Sequence, residues 1–211
     1  GSVNKNNIPF YINSSKSLID NFQNLISSVF GDIDGKIYNR NSICYVFRSS
    51  RIIADLIKSF YNIDFMSRNA KIPARIKELP KEFSIALIRA FADDEGSVDL
   101  NHKINIYSTN KSILLSIREL LTEKLEFRCI SPIFEKSESY FYLTIKSADI
   151  EKYFEIIGFN HPLKVYRLSK IIEMRKNSSG TRRKDSQTKD EILSLLSSQN
   201  LSTEELIFKL G

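Results

Sequence analysis

Three consecutive acidic residues, Asp93, Asp94 and Glu95, are the side chains of this sequence best suited to do chemistry, and Gly96 follows them directly. Carboxylate oxygens are the ligands that hard divalent cations such as Mg²⁺ prefer in proteins. The cluster therefore predicts a metal site. An ordinary buried helix with a polar end closed by glycine would have the same sequence, so both interpretations stand at this point.

The residues before the cluster predict the helix that positions it. The run from Ile85 to Ala92 is largely apolar, and Ala86 and Ala90 lie four residues apart, hence on one helix face. A face of small residues lets the backbone of a second helix approach closely. We therefore predict a helix interface at Ala86 and Ala90, with the carboxylates near the axis of the helix pair.

Composition bounds the class of protein. The chain has 211 residues and a formal net charge of +6, with a sequence pI near 9.2. This basic excess favours a polyanionic partner, nucleic acid first. Cys44 and Cys129 are far apart and form no CxxC pair, which argues against a structural zinc site or a disulfide framework. No apolar run of membrane-spanning length and no signal peptide are present, so we expect no membrane partner and an intracellular, cytoplasmic, nucleoid-associated location.

Hydrophobic periodicity predicts the same order of elements on both sides of the central helix. Before it, strands are predicted at 8–13, 33–39 and 42–48, and helices at 17–30 and 50–61. After it, we predict a hairpin over 98–108, a helix over 111–124, strands over 126–134 and 139–146, and helices over 147–157 and 164–176. The first two helices have apolar faces that we expect to be core: Leu18, Phe22, Leu25, Ile26 and Val29 on one, and Ile52, Ile53, Leu56, Ile57 and Phe60 on the other.

An internal repeat accounts for this order. Gly1-Ser2-Val3 matches Gly96-Ser97-Val98 at an offset of 96 − 1 = 95, and a three-residue shift then aligns residues 44–52 with 142–150. The predicted fold class is α+β, with two repeats that each contain an antiparallel sheet. The predicted division is 1–83 for the first repeat with its connector, 84–176 for the second repeat, and 177–211 for a basic linker and a helical segment.

The strands also predict a nucleic-acid interface. Apolar residues alternate with basic, aromatic and amide side chains, which suit contacts to phosphates and base edges in a major groove. The solvated side of any antiparallel sheet would look similar. The candidate DNA-binding residues are Lys36, Tyr38, Arg40, Arg48, Lys103, Asn105, Tyr107, Arg128, Tyr140, Tyr142, Thr144 and Lys146.

The C-terminal residues differ in composition from the repeats. Residues 177–189 are polar and basic, and amphipathic helices are predicted at 188–197 and from Ser202 onwards. The pair is similar to the first two helices of a winged helix-turn-helix. A two-helix appendage that packs on the core or on another chain is an equal alternative.

The helix with its acidic end, placed between two α+β repeats, resembles the LAGLIDADG homing endonuclease family. The nine-residue signature falls on Ile88 to Gly96, with Ala90 at the small-residue place, Glu95 at the catalytic acid place and Gly96 at the final glycine. The resemblance implies two saddle-shaped sheets in the DNA major groove and Mg²⁺ held over the scissile phosphates by Glu95, with Asp94 as a second candidate ligand. It also implies helix-end hydrogen bonds for Asp93 and basic catalytic residues at Lys164 and, ahead of the motif helix, Lys71.

One departure from the family pattern concerns the first repeat, whose own motif helix would precede Gly1. We expect a second chain or an N-terminal segment to supply it, because cleavage of both strands needs two carboxylate–metal sites. The predicted function is sequence-specific binding of double-stranded DNA, with Mg-dependent cleavage when the two-motif centre is complete. The alternatives are a non-cleaving transcriptional regulator on the same scaffold, an RNA-binding protein, and an interaction domain that binds no nucleic acid.

Overall fold

The computed structural model describes residues 2–3, 8–31, 35–40, 44–61, 70–137 and 139–178. They form two four-stranded antiparallel sheets, each accompanied by helices. The predicted α+β fold class is confirmed. The predicted tail helices at 188–197 and beyond Ser202 lie outside the described residues.

The first repeat contains four strands and two helices. These are β1 (Ser2–Val3), β2 (Pro9–Asn13), α1 (Lys16–Phe30), β3 (Lys36–Arg40), β4 (Cys44–Arg48) and α2 (Arg51–Tyr61), with the strands in the order β1-β2-β4-β3. Tyr11, Leu18, Ile19 and Phe47 form its buried core, because alternate residues of β2 and β4 face the apolar side of α1. Gly31, at φ 80°, ends α1 in a backbone conformation that side chains disfavour.

The second repeat follows a connector and the central helix, and it has the same strand order. The connector contains a 3-10 turn at Ala74–Lys77. The elements are α3 (Lys81–Glu95), β5 (Gly96–Asp99), β6 (Lys103–Ser108), α4 (Lys111–Glu119), β7 (Phe134–Ser137), β8 (Tyr140–Ile145) and α5 (Ile150–Ile156), with the strands in the order β5-β6-β8-β7. A π-helical turn at Leu120–Lys124 continues α4. The Asn110 side chain accepts hydrogen bonds from the backbone of Ser112 and Ile113, so α4 begins at a capped residue.

Strand pairing corrects the alignment of the repeats. Tyr11 pairs with Phe47, and its counterpart at an offset of 95, Ile106, pairs with Leu143. Phe47 therefore corresponds to Leu143, an offset of 143 − 47 = 96, so the shift is one residue and the predicted shift of three was wrong. The predicted alignment of residue 44 with residue 142 has an offset of 142 − 44 = 98, two more than the observed 96. Because a change of two residues leaves a side chain on the same face of a strand, each residue keeps its predicted side of the sheet.

Two predictions of local structure were wrong. Residues 126–134 do not form a strand: Glu126 takes a positive φ of 57°, Pro132 has no N–H to donate, and regular pairing begins at Phe134. The apolar faces of the first two helices are not wholly buried either. Leu25 and Val29 on α1, and Ile52, Leu56 and Phe60 on α2, are exposed to solvent.

The last described helix, α6 (Pro162–Ser178), crosses from the compact unit of residues 1–165 into a second unit of residues 166–211. Within the second unit, Lys170 and Glu173 form an exposed ion pair one turn apart. The predicted division at 83 and 176 stays a prediction. No helix in the described part of the chain is long and apolar enough to cross a membrane.

Candidate active site and nucleic-acid interface

Helix α3 passes directly into strand β5, and this junction holds the acidic cluster. Glu95 is the last helical residue and Gly96 the first of the strand. A Cβ atom on residue 96 would lie 2.5 Å from the backbone oxygen of Ala92, so only glycine lets the strand leave this close to the helix. The three carboxylates are therefore fixed at the boundary of two rigid elements.

Asp93 points into the second repeat and is buried. Its Oδ1 atom accepts hydrogen bonds from the backbone N–H groups of Asn160, at 2.8 Å, and His161, at 2.9 Å. These groups lie just before α6, so one carboxylate satisfies two donors next to a helix start. The hydrogen-bonding role at a helix end that the family resemblance implies for Asp93 agrees with these contacts.

Asp94 points toward the first repeat. Its Oδ1 atom accepts hydrogen bonds from the Tyr11 hydroxyl, at 2.5 Å, and from Asn13 Nδ2, at 3.0 Å. Both partners come from β2, and burial, followed by the hydrogen bond to Asp94, raises the pKa of Tyr11. Asp94 therefore connects the end of α3 to the first sheet, which occupies one of the oxygens expected to bind metal.

Glu95 is accessible to solvent, in contrast to Asp93. Partial burial of its carboxylate is the main cause that raises the pKa of Glu95; the negative charge of Asp94 raises it further, and Lys164 opposes both. Asp94 is exposed as well, but one of its oxygens is engaged by Tyr11 and Asn13, which makes Glu95 the better candidate to meet an incoming phosphate or cation.

Lys164 lies beside the acidic cluster and is half-buried. Its Nζ atom donates hydrogen bonds to the backbone oxygens of Ala92, at 2.9 Å, and Asp93, at 2.6 Å, and so caps the end of α3. Burial lowers the pKa of Lys164, and the charges of the three carboxylates oppose this shift. The ammonium group neutralises the helix end and stands next to Glu95.

Lys71, the other predicted basic residue, is exposed in the connector. It makes no hydrogen bond or ion pair with the acidic end of α3 in the described ranges, so the structure does not bring Lys71 and Glu95 together. His161 is closer to the cluster: its Nδ1 atom is buried without a hydrogen-bond partner among the described residues, and burial lowers the pKa of its side chain.

Ala86 and Ala90 line an apolar groove of about 420 Å³ between α1 and α3. Leu18, Phe22 and Leu25 form the opposite wall. The groove continues to Asp93 and Asp94, so an element that occupied it would reach the acidic end of α3. The predicted helix interface stays a prediction, and the structure places both alanines on an open surface.

The fit of the cluster to a divalent cation is partial. No group of three or more His, Cys, Asp or Glu side chains among the described residues is placed to hold a metal ion. Glu95 offers an accessible carboxylate, whereas Asp93 and one oxygen of Asp94 are engaged by hydrogen bonds. Further ligands would have to come from water, from phosphate oxygens or from other protein groups.

One face of the second sheet is concave and encloses a pocket of about 620 Å³. This face brings together six of the predicted DNA-binding residues. Asn105 and Thr144 are cross-strand partners, and the Thr144 hydroxyl donates a 2.7 Å hydrogen bond to Asn105 Oδ1. Tyr140 stacks on Tyr107, whereas Arg128 is exposed in the segment before β7. The six predicted residues that are among those lining the face are Lys103, Asn105, Tyr107, Tyr142, Thr144 and Lys146.

The first sheet carries the remaining candidates. Lys36 and Arg48 are direct partners across β3 and β4, and the Arg48 guanidinium lies 4.9 Å from the centre of the Tyr38 ring. Two neighbouring cations suit phosphate contacts. Val46 on the same side is buried, so this face is only partly open. Arg40 lies in β3 and pairs with Cys44, and its side chain lies outside the described residues.

Sequence reasoning missed four residues of these sites. Tyr11 and Asn13 contact Asp94 from more than 80 positions away, which no local pattern shows. Phe134 and Lys136 line the concave face of the second sheet. Residues 134–137 read Phe-Glu-Lys-Ser and show no apolar alternation, so the sequence carries no local signal for this strand.

Comparison with known proteins agrees with this geometry. Residues 82–158 match the family model of a LAGLIDADG-like domain. A probable translation initiation factor IF-2 from Methanocaldococcus jannaschii is 29% identical over 154 residues, which cover 68% of this chain and 13% of that protein. The chain thus spans about an eighth of the length of that relative.

Solved structures of the homing endonuclease I-DmoI have a similar fold. The complex with DNA and Ca matches with a TM-score of 0.58 and 19% identity, covering 77% of this chain and 82% of that one. The complex with DNA and Mn matches with a TM-score of 0.55 and 19% identity, covering 72% and 80%. The predicted resemblance is confirmed: residues 82–158 match the family model of a LAGLIDADG-like domain, and the fold is similar to that of a solved homing endonuclease.

Proposed function

We propose that this protein binds double-stranded DNA sequence-specifically through the open faces of its two sheets and supports phosphodiester cleavage at Glu95. The observation that carries the proposal is the accessible carboxylate of Glu95 at the end of α3, between two sheets of equal strand order. The DNA complexes of I-DmoI, which has a similar fold, support DNA as the partner.

The charges around Glu95 suit a reaction at a phosphate. Asp94 is held by Tyr11 and Asn13, and Lys164 is held by the backbone of α3, so neither side chain is free to reorient. These contacts keep one carboxylate and one ammonium group at constant places beside Glu95. A divalent cation, Mg²⁺ in our proposal, would neutralise phosphate charge and activate water when bound there.

The proposed substrate contacts follow from the sheets. Lys36, Arg48, Lys103 and Lys146 supply positive charge for the backbone, which fixes the position of the duplex without reading its sequence. Asn105 presents an amide whose oxygen is engaged by Thr144, leaving its N–H donors for base acceptors. Binding should weaken steeply with salt, because phosphate contacts release counterions.

A cleavage experiment tests the proposal. Duplexes that bind the full chain are selected from a randomised DNA library, and a supercoiled plasmid carrying one of them is incubated with Mg²⁺. The described residues supply one carboxylate at the end of a motif helix, that of Glu95. We therefore expect this chain alone to nick one strand. Cleavage of both strands requires the second chain or N-terminal segment that would bring another motif helix.

The decisive variant is Glu95→Gln, with Glu82→Gln in the first turn of the same helix as the matched control. We expect Glu95→Gln to bind the selected duplex and to lose nicking by at least about 100-fold, since a charged metal ligand is removed. Unchanged nicking by Glu95→Gln would disprove the assignment of the acid.

The second candidate function is a non-cleaving DNA-binding regulator. The engagement of Asp94 by Tyr11 and Asn13 favours it, because this contact removes a candidate metal oxygen. This function predicts tight binding that neither EDTA nor Glu95→Gln alters, together with no nicking under any divalent cation.

A further inference from the structure

Four aromatic rings form a continuous ladder across three strands of the second sheet. Tyr140 stacks on Tyr107 with ring centres 5.6 Å apart and planes 10° apart. Tyr107 contacts Tyr142 at 5.8 Å, and Tyr142 contacts Phe134 at 5.5 Å. Tyr142 is the direct cross-strand partner of both Tyr107 and Phe134, so the ladder is set by strand register and is rigid before any ligand arrives.

The Phe134 ring ends this ladder, and its side chain has no polar atom. It lies on edge strand β7 and lines the concave face, yet 44% of it is exposed to solvent. The tyrosines of the ladder can direct hydroxyl groups to polar partners, whereas the Phe134 ring gains only from apolar contact. The face therefore offers a position for an apolar group of the ligand.

The surroundings of Phe134 identify the chemistry of that ligand. Lys103, Lys136 and Lys146 line the same concave face, and Lys136 Nζ lies 5.7 Å from the centre of the Tyr107 ring. Cations around an apolar centre fit a polyanion that carries an apolar group. In a DNA major groove that group is the C5 methyl of thymine, against which phenylalanine is a known type of contact.

We propose that Phe134 reads the C5 methyl group of thymine in the half of the target bound by the second sheet. This inference rests on the proposed binding of duplex DNA and adds a specificity-determining residue to it. At the offset of 96, the counterpart of Phe134 in the first sheet is Tyr38, which lies against the Arg48 guanidinium. Arginine suits guanine and phosphate, so the two halves of the target are read by different chemistry.

Replacing thymine by uracil tests the inference, because uracil differs only by the missing methyl. In a duplex selected from the randomised library, each deoxythymidine is replaced in turn by deoxyuridine, and the affinity of the full chain is measured without added metal. Burial of one methyl group predicts a loss of about fourfold at the contacted position. Phe134→Ala should bind the two duplexes equally, whereas Phe134→Leu should keep part of the preference.

Tyr38→Ala is the matched control, because it removes the corresponding ring from the other sheet. We expect it to retain the full effect of uracil at the position that Phe134→Ala makes insensitive. Insensitivity of the wild type to uracil everywhere, or an equal effect in wild type and Phe134→Ala, would overturn the inference while leaving duplex binding intact. Equal affinity for single-stranded DNA, RNA and selected duplex would overturn the proposed function and this inference together.

Discussion

The two repeats share a strand order but differ in how completely they bury their helices. On α4 and the turn that follows it, Leu114, Ile117 and Leu120 are buried. At the corresponding place on α1, Leu25 is 55% exposed, whereas Leu120 is 2% exposed. The difference teaches that burial here depends on what covers the helix and not on its own apolar pattern. Helix α3 packs on β5, β6 and residues 120–124, whereas an open groove separates it from α1.

The largest expected effect compares these two leucines. Leu120→Ala should lower the free energy of unfolding by about 2–5 kcal/mol, because it leaves a cavity in a closed core. Leu25→Ala should change it by no more than about 0.5 kcal/mol, because the side chain is largely in water already. Equilibrium unfolding in urea measures both. Equal losses would mean that the groove beside α1 is filled in solution, which a dependence on protein concentration would reveal.

The next comparison concerns the two neighbouring aspartates, which connect α3 to different repeats. Asp93→Ala should cost about 2–3 kcal/mol, since two buried backbone N–H groups at Asn160 and His161 lose their acceptor. Asp94→Ala should cost less than about 1 kcal/mol, because its contacts are partly exposed to water. The urea midpoints of the two variants give the order, and a larger loss for Asp94→Ala would reverse our view of which connection is stronger.

A third test separates the first repeat from the second. Tyr11→Phe removes the hydroxyl that binds Asp94, and we expect a loss of about 0.5 kcal/mol, less than for Asp94→Ala, which removes the Asn13 contact as well. Faster amide hydrogen exchange should be confined to β2 and β4 of the first sheet and leave β6 and β8 unchanged. Tyr38→Phe, at an exposed position of the same sheet, is the control. Faster exchange throughout both sheets would show that the repeats unfold as one unit.

The smallest expected effect concerns Glu95 itself. Its pKa is raised in the folded state, so folding is favoured while the group is protonated, and this contribution is lost as the pH rises from the unfolded pKa through the folded one. Glu95→Gln should therefore be more stable than wild type at pH 7 by a few tenths of a kcal/mol, because solvent screens the partly exposed carboxylate. Urea unfolding at pH 4 and pH 7 measures the difference, which should be absent for Glu82→Gln.

Much of the architecture could be predicted from local pattern. The apolar run before the acidic cluster, the period-two strands and the repeat offset were enough for the α+β class and for the place of Glu95. The contacts of Asp94 could not be predicted, because Tyr11 and Asn13 meet it only through the tertiary fold. Helical periodicity did not predict the exposure of Leu25, Leu56 and Phe60. An apolar helix face indicates which side chains could be buried, but it does not show which element covers them.

The junction at Gly96 has a consequence for changing side chains on the second sheet. Because α3 becomes β5 without an intervening residue, the backbone of Glu95 is continuous with the first strand of the second sheet. Side chains on the face, such as Lys103, Asn105 and Tyr107, can be substituted together without moving the backbone of Glu95. A single residue inserted after Glu95 would instead turn the helix by about 100° relative to the strand. Redesign should therefore substitute side chains on this face and leave the number of residues between α3 and β5 unchanged.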